Sequence, residues 1–171
     1  MAEPVLDRLD ASRQAFLDAL EAVDADLVTV PGVMEDWSVR DIVVHVAAWC
    51  EHGASALELA VAGRGDEFAY STGGTDAMNV QILEEARRTS PSAALEREDA
   101  AFSAFRERVA GLDPALLHLR LGNGDTVAEV IAYDGADHYA EHTAHLRAWF
   151  APEGSEASED DEDDKDVPED A

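Results

Sequence analysis

The chain has 171 residues with 38 acidic and 12 basic side chains, a formal net charge of −26 and 46% hydrophobic residues. That length suits one domain with a sizeable core rather than two. So strong a negative field, with no run of Lys or Arg to reverse it locally, excludes nucleic acid as a partner. No apolar run reaches the roughly eighteen residues a membrane helix needs. The opening MAEPVLDRLDASRQ has no basic region followed by an apolar one, so no secretory leader is expected and the expected location is the cytoplasm.

Val5 to Val28 carries Leu6, Leu9, Phe16, Leu17, Leu20, Val23 and Leu27 at helical spacing, which predicts a first helix. Pro31 and Gly32 then break the pattern. WSVRDIVVHVAAW marks the start of a second helix. Ser38 is placed to cap it, Asp41 to reach back in a capping box, and Trp37 to pack on Ile42 as a hydrophobic staple. This helix is expected to run to about Ala62, with Arg40 and Asp41 serving its start and Cys50 acting as a small buried hydrophobe rather than a reactive thiol. Gly63 to Thr75 reads as an exposed loop or gate. A third helical region follows in two pieces, Asp76 to Thr89 and Ser92 to Val109, broken at Pro91. GLDPALLHLRLGNGD is rich in turn formers, with a tight reversal at Gly122, Asn123 and Gly124. Thr126, with Glu129 three residues on, opens a last helix expected to continue to Phe150.

No stretch alternates with period two, so the fold class is all-α: a four-helix bundle with one crossover connection. The bundle domain is assigned to residues 1–150. Residues 151–171 follow as an acidic tail, in which Glu153 to Ala171 holds eleven acids, one lysine and no aromatic residue. Such a segment buries too little apolar surface to offset its ordering entropy, and disorder is the expectation.

The last helix contains DGADHYAEHTAHLRAW. At about 100° per residue His138, His142 and His145 share one face, and Val127, Ile131, Tyr133 and Trp149 lie close to it, so that face is read as the buried one. His45 sits among valines on the second helix and also faces inward. Bundle cores build metal sites from side chains on facing helices, and two histidines at i and i+4 form a chelating pair. His138 and His142 with His45 as the third ligand make one set; His142, His145 and His52 make a rival one turn away, and spacing does not choose between them. Glu141, Tyr139 and Asp134 are candidates for orienting ligands or for structure, and Asn79 for a hydrogen bond across the bundle or for lining the pocket.

WSVRDIVVHVAAW, DAMNVQILEEARRTSPSAALERE and AYDGADHYAEHTAHLRAW together resemble the DinB-like superfamily of four-helix bundles, most closely its ClbS/DfsB-type branch, over about Leu6 to Phe150. The resemblance implies that His45, His138 and His142 hold a divalent metal ion, typically zinc, with nickel or iron also compatible with three imidazoles. It does not extend to His52 or His145. It also implies a small-molecule substrate, with a low-molecular-weight thiol or water as nucleophile, in S-transferase or hydrolase chemistry that serves detoxification and stress protection. Two further readings stand beside it: a bundle whose same pocket binds or sequesters a small molecule without turnover, and an interaction protein in which the histidines are satisfied core groups and the acidic tail acts. A homodimer through an exposed apolar helix face is the expected association, opposed at low salt by the net charge.

Overall fold

The computed structural model describes residues 3–70 and 72–150; the expected disordered tail lies outside the described residues. Within them the chain forms α1 (Glu3–Glu21), α2 (Val39–Val61), α3 (Gly74–Ala86), α4 (Pro91–Ala110), α5 (Val127–Ile131) and α6 (Asp137–Phe150). Short 3₁₀ turns occupy Ala25–Leu27, Gly65–Glu67 and Pro114–His118, and a five-residue π-helical turn, Ala132–Ala136, joins α5 to α6. There is no strand among the described residues. The architecture is the all-α bundle, its third member split into α3 and α4 and its last into α5 and α6.

α2 is apolar almost all round and accordingly runs through the centre, packing most extensively on α4 and also on α3 and α6, while α1 lies along α6. Its start is fixed as the sequence indicates: the Ser38 side chain accepts from the Asp41 backbone N–H, and the Asp41 carboxylate accepts from the Ser38 N–H at 2.9 Å. Arg40 Nη2 donates to Asp41 Oδ1 at 2.9 Å, so both charged residues belong to the helix start. Thr126 and Glu129 form the second capping box, at the start of α5. Ser90 caps α4, with Pro91 as its first residue.

The elements depart from sequence expectation in three places. The first helix stops at Glu21 instead of continuing to Val28, because Asp24 is extended (φ −62°, ψ 135°) and the chain goes on through i to i+3 bonds. That exit lets the Val28 carbonyl accept from Arg40 N at 2.9 Å, tying the connection to the start of α2. The Gly63–Thr75 connection is not wholly exposed, since Gly65 and Phe68 are buried. A Cβ on Gly122 would stand 2.1 Å from the Asp66 carbonyl oxygen, so only glycine lets the 121–125 turn clamp this segment, through Gly122 N to Gly65 O at 2.9 Å. Finally, the last helix is interrupted by the π turn, inside which Gly135 is non-helical (φ −116°, ψ −111°). The inserted turn changes the helical phase, and Tyr133, expected on the inner face, is 55% exposed.

Candidate metal centre

Three of the six histidines converge. His45 comes from the second turn of α2, and His138 and His142 from the first two turns of α6, one turn apart on the same face. Ligand-capable atoms of the three all lie within 4.8 Å of one another. His45 Nε2 and His138 Nε2 are 2.8 Å apart, and the ring centroids of His45 stand 4.7 Å from His138 and 4.8 Å from His142. Trp37 and Trp49 wall the cluster, edge-on to His45 at 5.1 and 6.2 Å between centroids.

Burial penalises the imidazolium form, so it dominates the electrostatics of the cluster. It holds the pKa of His45 down at about 3 and that of His138 at about 4. His142 falls to about 2, by burial first and then through the neighbouring His138, His45 and His145. All three are therefore neutral at physiological pH, which is the ligating form. Among the described residues, buried His45 Nδ1 has no hydrogen-bond partner and no carboxylate joins the three rings. A converging set of neutral imidazoles with few competing hydrogen bonds fits a divalent ion that takes nitrogen ligands, zinc among them.

The rival set does not assemble. His145 stays beside His142, Nδ1 to Nδ1 at 3.3 Å, which leaves the other edge of His142 for the cluster. His52 lies two turns beyond His45 and is engaged elsewhere: its Nδ1 is 2.8 Å from Asp134 Oδ2. Asp134 thus orients His52 rather than one of the three clustered histidines. Glu141 is exposed. Asn79 accepts from Trp49 Nε1 at 3.3 Å across the α2–α3 contact, which fixes the Trp49 wall.

Tyr139 serves the interior. It is fully buried, and its hydroxyl donates to Glu98 Oε1 at 2.6 Å. Glu98, 1% exposed, is held by a two-pronged ion pair with Arg13 at 2.9 and 2.8 Å. Cys50 packs under this group, 3.6 Å from the Tyr139 hydroxyl, and burial pushes its thiol up to about 12, which makes it inert as a nucleophile. Sequence reading did not pick out Glu98, although its register with the buried Ala94, Ala101 and Phe105 sets a charged residue on an apolar stripe.

The profile of one family, described as the mycothiol maleylpyruvate isomerase N-terminal domain, matches residues 9–149. Among solved structures, an uncharacterised protein from Escherichia coli UTI89 superposes with a TM-score of 0.71 over 87% of this chain and 92% of that one, at 14% identity, a likeness of fold. No curated protein sequence matches the chain.

Proposed function

The chain belongs to the mycothiol maleylpyruvate isomerase N-terminal domain family, and from that premise we propose that it is a metal-dependent enzyme using a low-molecular-weight thiol against an electrophilic small molecule. The observation that carries the reading is the convergence of His45, His138 and His142, neutral by burial and within 4.8 Å of one another. A divalent ion at these residues, zinc by preference, supplies Lewis acidity and lowers the pKa of a bound thiol or water. The chain's own residues orient and dry the site. His45 on α2 sets the third direction against the α6 pair, and Trp37 and Trp49 exclude water from one side. The family name suggests unsaturated oxo acids of the maleylpyruvate type as electrophiles. Self-protection in the cytoplasm is the role such chemistry suits.

Hydrolysis, with water in place of the thiol, is the second reading; it draws on the ClbS/DfsB-type likeness of the segments that carry His45, His138 and His142. Metal analysis of protein purified without a nickel column is the first test. About one divalent ion per chain, lost in the His138→Ala/His142→Ala variant, is expected. Equal metal in that variant overturns the centre. A panel of electrophiles with and without added thiol then separates the chemistries. Thiol-dependent product supports the transferase, thiol-independent product the hydrolase, and binding without product a sequestering bundle.

A further inference from the structure

Two histidines of α6 stand together beside the cluster. His142 and His145, three residues apart, share a helix face; their ring centroids are 5.3 Å apart and Nδ1 lies 3.3 Å from Nδ1. His142 is buried and belongs to the three-histidine set, whereas His145 is half-buried and lies outside it. An imidazole that gives one nitrogen's lone pair to a metal keeps its hydrogen on the other nitrogen. With His142 Nδ1 against His145, Nε2 is the nitrogen left for the ion and Nδ1 carries the hydrogen. The partner at 3.3 Å must then receive that hydrogen, so His145 Nδ1 is the acceptor and its own N–H is at Nε2. His45 has no counterpart to this bond, since its buried Nδ1 has no partner among the described residues. One ring of the α6 pair is thus supported from within α6 itself.

We propose that His145 is a positioning residue for the metal centre: its Nδ1 accepts from His142 Nδ1–H and so fixes the tautomer and ring orientation in which His142 Nε2 ligates. The proposal rests on the metal reading above. An outer hydrogen bond of this kind stops the ring from turning about its Cβ–Cγ bond, so less freedom is lost when the ion binds. Ligating histidines commonly donate to a carboxylate or a carbonyl. An imidazole that accepts is uncharged, so it orients the ring without adding negative charge, and the ion keeps more of its Lewis acidity toward a bound thiol or water. The spacing that made His145 a rival ligand gives it this task instead.

Zinc affinity of the full chain, measured by competition with a chromogenic chelator near pH 7.5, is a test that needs no turnover. His145→Leu removes the acceptor and is expected to weaken zinc binding about 10–100-fold. His145→Asn puts an amide oxygen where Nδ1 stands and is expected to bind zinc within a few-fold of the parent. Nitrogen NMR of the isotope-labelled, zinc-loaded parent should show the His142 hydrogen on Nδ1 and the His145 hydrogen on Nε2; it needs no variant and decides the matter if His145→Leu fails to fold. Equal zinc affinity in the leucine variant and the parent overturns the proposal alone. So does a loss as large in the asparagine variant as in the leucine one, or a hydrogen on His145 Nδ1. A parent chain that takes up no zinc overturns it together with the metal centre.

Discussion

Acidification of the metal-free protein tests the buried histidines directly. His45, His138 and His142 have native pKa values of about 3, 4 and 2, against roughly 6.5 for an exposed imidazole. A histidine whose pKa is depressed by folding binds its proton more readily when unfolded. Its contribution to stability is therefore complete above about pH 6.5 and is lost as pH falls toward the native value. Between about pH 7.5 and 5.5 each group loses about 1.4 kcal/mol, because all three native values lie well below that window, and the three together lose about 4 kcal/mol. That is a large share of a typical domain's 5–15 kcal/mol, quoted to order of magnitude. Asp134, whose pKa is raised by burial, works in the opposite sense. Urea unfolding of chelator-treated protein, followed by tryptophan fluorescence, should show the midpoint falling by about 2 M across this range. The His45→Gln/His138→Gln/His142→Gln variant should lose most of that slope. A midpoint shift that is the same in the variant as in the parent refutes the burial argument for the cluster.

Two further outcomes follow from the packing. Tyr139→Phe removes the hydroxyl that donates to buried Glu98 and should cost about 1–3 kcal/mol by chemical denaturation, while zinc content stays unchanged. A loss of zinc in that variant would move Tyr139 into the metal centre. Gly53→Ala places a Cβ 2.8 Å from the Phe105 ring and 3.0 Å from Asp134 Cβ. It should cost about 1–3 kcal/mol by overpacking. An alanine variant as stable as the parent would mean that the α2–π-turn contact is looser than the structure has it.

Much of the site was legible because its signals are local. Ser38 with Asp41 and Thr126 with Glu129 announce helix starts within four residues, and both form capping boxes. His138 and His142 share a face by spacing, and the structure places them together with His45, as the resemblance implied. The misreadings came from features with no local signature. Helical periodicity assumes a constant turn, so it carried the α5 phase through residues 132–136 and turned Tyr133 inward; Gly135, which permits the break, reads as an ordinary helix blemish. The pairing of His52 with Asp134 spans 82 positions and that of Arg13 with Glu98 spans 85, distances over which only the fold decides who meets whom.

The π turn makes chain length itself a functional quantity. Each residue in a helix advances the azimuth by about 100°, so the surplus turn at Ala132–Ala136 acts as a spacer that sets the buried face of α5 and the histidine face of α6 to different dials. A deletion of one residue there alters no ligand, yet it forces a choice. Either Val127, Val130 and Ile131 keep the core and the histidines rotate away from His45, or the histidines hold and the apolar face turns to water. In this bundle the register of α6 matters to the cluster as much as the three imidazoles themselves.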